Sequence, residues 1–290
     1  MEKQSRSEWS GRRTRASHLA ERLAAEAADS RLPTPLARIA RTRSVRQIEF
    51  KPLLVDGSIT ICEDGFIISL GCKESEVDEF TRNLADDETG KSLPWRTRFT
   101  LAHEIAHTFF FDIKCKPPRS TVNYKHRRTL QSLERSCNRA ALELLLPETV
   151  FANRYADTDF ILPSSLRRVC FEAAMSAPAL ILRFLYLRRS THPFGVLIAA
   201  ERSLGGFTVN AISRHPGLKA WFAHLKQGDS VNAIVNDKDF LLNGGAEAEL
   251  KVRVPDNHNG LVRAFTARCE RPGQKGRGAV FMTLDPIRDT

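Results

Sequence analysis

His103-Glu104-Ile105-Ala106-His107 is the stretch of this 290-residue chain whose residue types and spacing could do chemistry. Two imidazoles four apart on a helix lie on one face, a turn from each other, and can share one metal ion. A glutamate beside the first imidazole can act as general base to a water on that metal, the arrangement that hydrolyses peptide bonds. The bland reading is a chance string: eight histidines in a chain of this length give H-E-x-x-H in roughly one such chain in a hundred. The surroundings decide between the two.

The run Phe99–Phe111 has no Gly or Pro and follows Pro94, as a helix would. At about 100° per residue, Phe99, Leu101, Ala102, Ile105, Ala106, Phe109 and Phe110 form one wide apolar arc. The narrow remainder holds Thr100, His103, Glu104 and His107. Such a helix is expected to be buried, and its polar stripe then needs a partner.

A hydrolytic zinc site takes a third protein ligand and keeps one position open. Metzincin spacing would put Gly at 110 and His at 113; Phe110 and Ile113 stand there, which excludes it. The alternative is a carboxylate on a later helix, and Thr129–Leu146, stopped by Pro147, reads as that helix. Its apolar stripe contains Leu130, Leu133, Cys137, Ala140, Ala141, Leu144 and Leu145, while Arg135, Arg139 and Glu143 fall on the other side. Glu134 falls inside the stripe, where a carboxylate is unstable unless paired or metal-bound. Asn138, one turn on, could orient a ligand. Asp112 and His126 are the rival third ligands.

Arg98-Phe99-Thr100-Leu101-Ala102-His103-Glu104-Ile105-Ala106-His107, followed by Glu134-x-x-Cys137-Asn138-x-x-Ala141-x-x-Leu144-Leu145-Leu146-Pro147, resembles the ImmA/IrrE family of bacterial metallopeptidases. Cys137 departs from the family's usual Ala. The resemblance implies a zincin-like domain with His103, His107 and Glu134 as zinc ligands and Glu104 as the catalytic residue. A two-His, one-carboxylate set also suits manganese or iron. The implied substrate is a helix-turn-helix transcriptional repressor whose cleavage derepresses stress-response, DNA-repair or mobile-element genes. Tyr124, His126 and Tyr155 are candidate oxyanion donors. An edge strand is expected to hold the substrate backbone by strand addition, and Phe66-Ile67-Ile68-Ser69-Leu70 is the candidate.

The elements that must position these residues follow from pattern. The fold class is α+β, read as four segments. Residues 1–47 form a basic tail and helix, with eleven Lys/Arg against six Asp/Glu in the first fifty. Residues 48–150 form the zincin-like domain, opening with a strand Ile48–Val55 and a hairpin of Ser58–Cys62 and Phe66–Leu70 turning at Glu63-Asp64-Gly65. Residues 73–94 read as an exposed insertion. Residues 151–192 resemble a helix-turn-helix, Pro163–Ser176 then Ala177–Leu187, with Arg167, Arg168, Arg183, Arg188 and Arg189 against Glu172. Residues 193–290 read as strands at Gly195–Ala200, Phe207–Ser213, Ala248–Val254, Leu261–Glu270 and Ala279–Leu284, separated by Gly, Pro and Asn turns, with a helix at Pro216–Leu225. The resemblance implies a GAF-like sensor for that last segment.

Composition, at 42% hydrophobic and 27% charged, is that of a globular chain. No run reaches the roughly 18–20 apolar residues that span a bilayer, so no membrane partner is expected. No apolar signal segment opens the chain, and six scattered cysteines form no disulfide framework, so the expected location is cytoplasmic. The net charge of +10 would suit nucleic acid or acidic protein. Direct DNA binding, by a regulator whose peptidase site is vestigial or secondary, is therefore the alternative function.

Overall fold

The computed structural model describes residues 16, 18–26, 32–122, 127–155 and 163–186, and the strands 195–201, 207–214, 248–255, 262–270 and 279–286. The expected helix at Pro216–Leu225 lies outside the described residues. The chain divides into two units, residues 1–156 with 170–176, and residues 157–169 with 177–290.

The first unit is built on a three-stranded sheet. The hairpin forms where the two strand-like runs and the turn between them put it, as β2 (Gly57–Cys62) and β3 (Gly65–Gly71) in antiparallel register from Gly57↔Leu70 to Cys62↔Gly65. The preceding strand, β1 (Val45–Lys51), pairs with β3 in parallel, giving the order β1-β3-β2. Gly65 is needed at that junction, because a Cβ there would meet the Ser44 carbonyl oxygen at 2.0 Å. Phe66–Leu70 is therefore the middle strand, with ladder hydrogen bonds on both sides, and cannot be the substrate edge. Its nearly unbroken apolar run was the signal: strands covered on both faces lose the alternation of a half-exposed strand. Phe66, Ile68 and Leu70 are buried.

Helices cover the sheet. After α1 (18–26) and α2 (Leu36–Thr42), the segment read as an exposed insertion contains a third helix, α3 (Val77–Asp86). Its Phe80 and Leu84 are buried, and the Phe80 ring packs edge-to-face on Phe50 of β1, centroids 5.7 Å apart. Two buried residues four apart on a mostly polar helix are a thin stripe, which hid it in the sequence. The motif helix, α4 (Trp95–His107), packs on β3 and β2 and, most extensively, on α5 (Arg127–Leu145). It stops at His107 instead of running to Phe111. There Thr108 turns its hydroxyl back to the Ile105 carbonyl (2.6 Å), and Arg43 donates to the Thr108 carbonyl (2.8 Å). One 3-10 turn follows, then the short strands β4 (Phe111–Asp112) and β5 (Arg119–Ser120). The next helix, α6 (Glu148–Tyr155), starts on the Glu21 carboxylate of α1, which accepts the Glu148 and Thr149 amides at 2.7 and 2.8 Å. A carboxylate there satisfies free N–H groups and complements the helix dipole.

Arg98, on the second turn of α4, is fully buried. It donates through Nε to the Thr89 carbonyl (2.9 Å), through Nη1 to those of Ala173 (2.9 Å) and Ala174 (3.3 Å), and through Nη2 to that of Thr34 (2.8 Å). Burial lowers its pKa to about 9, with the Asp87 charge acting against that fall, so it remains a cation at neutral pH. The residues it meets at 173 and 174 close α7 (Pro163–Ala173), after which Ala174 takes a left-handed φ of 48° and α8 (Ala177–Tyr186) begins.

The second unit holds α8 and one antiparallel sheet ordered β7-β6-β10-β9-β8. Its strands are β6 (Gly195–Glu201), β7 (Phe207–Arg214), β8 (Ala248–Pro255), β9 (Val262–Glu270) and β10 (Ala279–Pro286). All five lie within a residue or two of the strand-like runs read between Gly, Pro and Asn turns.

Replacing Arg98 by Met removes four charge-assisted hydrogen bonds and leaves buried carbonyls unpaired. The expected loss is roughly 3–5 kcal/mol. Chemical denaturation and amide exchange along α4 check it; Arg98→Lys, a point charge in place of a planar fork, should recover only part.

Candidate metal centre

His103 and His107 leave the same face of α4, one turn apart, with ring centroids 4.8 Å apart. Across from them α5 contributes Glu134 and Asn138, again one turn apart. Packing of α4 on α5 is thus what brings the two motifs together. The Nε2 atoms of the histidines are 3.0 Å apart, Glu134 Oε2 is 3.2 Å from His103 Nε2, and Glu134 Oε1 is 3.6 Å from His107 Nε2. All three ligand atoms fall within 4.8 Å of one another.

These distances fit a metal. A tetrahedral ion with bonds of about 2.0–2.2 Å sets neighbouring ligand atoms about 3.3–3.6 Å apart. The protonation pattern fits as well. His103 Nδ1–H donates to Asn138 Oδ1 at 2.9 Å, which leaves its Nε2 as an acceptor facing the cluster. Two ring nitrogens and a carboxylate then turn lone pairs on a common point, and only a proton or a cation there relieves their repulsion. A proton on His103 Nε2, donated to Glu134, meets the same need in place of a cation. Burial, then the His103 charge, push His107 down to about 4, with the Glu134 charge opposing. For His103 burial pulls downward, but the Glu134 hydrogen bond and the Glu104 and Glu134 charges outweigh it, and the net direction is up. The hydrogen bond from His103 lowers Glu134 against its partial burial.

Glu104 is buried beside this cluster. Burial pushes its carboxyl up to about 7, the His103 charge working against the rise and Glu134 with it. A carboxylate balanced near neutrality can both take and give a proton. Gly57, the first residue of β2, lies against it: a Cβ at 57 would meet Thr100 Cγ2 at 2.6 Å and Glu104 Oε1 at 3.0 Å. The cleft so formed has a volume of about 460 Å³, with Asp56, Gly57, Arg96 and Thr100 joining the histidines, Glu104, Glu134 and Asn138 in its lining.

Several expectations need correction. The Glu134 side chain is 51% exposed at the cleft mouth, not buried among leucines, because the stripe at this point opens onto the cavity. Glu143, assigned to the outer side, is buried instead. Tyr155 is no oxyanion donor to this cleft: it is buried on α6 and its hydroxyl donates to Glu172 at 2.5 Å. Tyr124 and His126 lie outside the described residues. Asp112 stands on β4, accepting from the Lys114 amide at 3.0 Å, and is not in the cluster. With β3 in the middle of its sheet, the edge beside the cleft that is free among the described residues is β2, whose start touches Glu104. Reasoning from sequence missed Asp56, Gly57 and Arg96. Arg96 could have been found, since it stands seven residues before His103 and so shares its helix face.

Residues 92–164, which contain α4, α5 and α6, match the Peptidase_M78 family model, described as the IrrE N-terminal-like domain. The ImmA/IrrE resemblance carried by the two motifs therefore holds for this segment, and it points to a metallopeptidase, with a metal ion and a protein substrate. No curated protein matches the chain. Among the described residues no helix is long and apolar enough to cross a membrane.

Glu134→Ala should lose the stoichiometric metal ion by elemental analysis, whereas Glu104→Gln should keep it. Asn138→Ala should weaken metal binding about 10- to 100-fold, since it frees the His103 ring. Full metal retention by Glu134→Ala would put the third ligand elsewhere.

Proposed function

We propose that this chain is a zinc-dependent endopeptidase that cuts a partner protein. The convergence of His103, His107 and Glu134 on one point, with the carboxylate of Glu104 buried beside it, carries the reading. When bound there, the metal ion makes water acidic near neutral pH and polarises the scissile carbonyl. Glu104 takes the proton that the attacking water gives up and delivers it to the leaving amine. Asn138 fixes the His103 ring through Nδ1, so the ring presents Nε2 throughout. Gly57 keeps the start of β2 against Glu104, and the β2 edge can hold an extended substrate by backbone hydrogen bonds close to the reacting groups.

The substrate we infer is a helix-turn-helix repressor, as the family resemblance implies, with derepression of stress-response, DNA-repair or mobile-element genes as the outcome. The antiparallel sheet of residues 195–286 supports reading the last hundred residues as a sensor that governs the peptidase, of the GAF-like kind. A cytoplasmic location goes with such a role.

Glu104→Gln should reduce cleavage of a co-purified repressor by about 10²- to 10⁴-fold while zinc content stays at one per chain. Gene regulation should be lost with cleavage. Regulation that survives in Glu104→Gln cells would overturn the peptidase reading in favour of a DNA-binding regulator.

A further inference from the structure

Arg96 sits in the first turn of α4 on the face that carries His103, two turns ahead of it. Two turns advance about 10.5 Å along the axis, which an extended peptide covers in about three residues. The Arg96 guanidinium is held by Asp56, Nη2 to Oδ1 at 2.8 Å and to Oδ2 at 2.7 Å, with Nε to Oδ2 at 3.3 Å. Asp56 immediately precedes Gly57, so the pair joins the start of α4 to the start of β2 and closes one end of the cleft; both residues line it. The side chains are 80% and 59% exposed, so water and an incoming ligand reach them freely.

The hydrogen-bond capacity of the pair is lopsided. Both oxygens of Asp56 already accept from Arg96, while the two Nη1–H donors of Arg96 have no partner among the described residues. A planar guanidinium held along one side by a carboxylate can still dock a second carboxylate on the other. Leu54 and Val55, both exposed, lead into Asp56 and give this end an apolar shoulder.

We propose that Arg96 is a specificity-determining residue that selects substrate segments carrying an Asp or Glu side chain about three residues from the scissile bond, with Asp56 as the positioning residue that fixes its orientation. The assignment rests on the endopeptidase reading above.

The experiment uses the zinc-loaded full chain and a degenerate decapeptide library, with every cut sequenced. Asp and Glu should be enriched about fivefold at one position two to four residues from the cut. The enrichment should vanish in Arg96→Ala, weaken in Arg96→Lys, turn towards Lys and Arg in Arg96→Glu, and shrink as salt is raised. In parallel, immobilised zinc-loaded Glu104→Gln should retain an acid-enriched pool, and Arg96→Ala in that background should not. Cleavage without acidic enrichment, or enrichment that persists in Arg96→Ala, overturns the Arg96 assignment and leaves the peptidase reading standing. If no peptide is cut, the peptidase reading fails, and the retained pools decide Arg96 by themselves: equal pools with and without Arg96 overturn it.

Discussion

The buried guanidinium of Arg98 is the constraint on which the rest of the first unit depends. A cation taken out of water is destabilising unless every donor is met, and here each nitrogen meets at least one backbone carbonyl. Those carbonyls come from three separate segments, around Thr34, Thr89 and Ala173–Ala174, so none of the three can shift without stranding charge. The network extends one step further in two directions. Asp87 accepts the Thr89 amide and hydroxyl, ordering the loop that offers the Thr89 carbonyl, and Thr34 turns its own buried hydroxyl to the Leu145 carbonyl at the end of α5. One planar fork thereby locates α4 against the chain on either side of it. The histidines lie five and nine residues further along the same rigid rod.

What could be seen in the sequence depended on whether a side chain advertises its partner. His103, Glu104 and His107 do, because their spacing only makes sense on a helix face. Asn138 does too, as a polar residue one turn from a carboxylate. The hairpin was visible because two β-branched, apolar-rich runs flank a turn at Glu63-Asp64-Gly65. Arg98 was visible only as a motif position: its partners are carbonyls, which every residue possesses and no sequence pattern marks. Gly57 was silent for the same reason, since close approach of another element leaves no trace but the missing side chain.

Two expectations fail for different physical reasons. Phe66–Leu70 is the candidate edge because it belongs to the sheet ahead of the motif helix, yet its continuous apolarity is that of a strand with cover on both faces. Glu134 was singled out because a carboxylate among leucines is unstable, and the structure exposes half of its side chain to a cleft. The residue picked out was the one the cleft brings to the histidines, but the physical reason differs. The α4–α5 seam is apolar where it is closed and polar where it opens, and Glu134 marks the opening.

The division of the cluster between two helices has a thermodynamic consequence. The two imidazoles are neighbours on one helix, but the carboxylate arrives from residues some thirty positions later, held opposite them by the packing of α4 on α5 and the polar contacts of Glu134 and Asn138 with the histidines. A cation bound by all three acts as a crosslink between α4 and α5. Linkage then requires that whatever tightens the seam raises metal affinity, and that removing the metal loosens the seam by the same free energy. Occupancy and helix docking are one equilibrium seen from two ends.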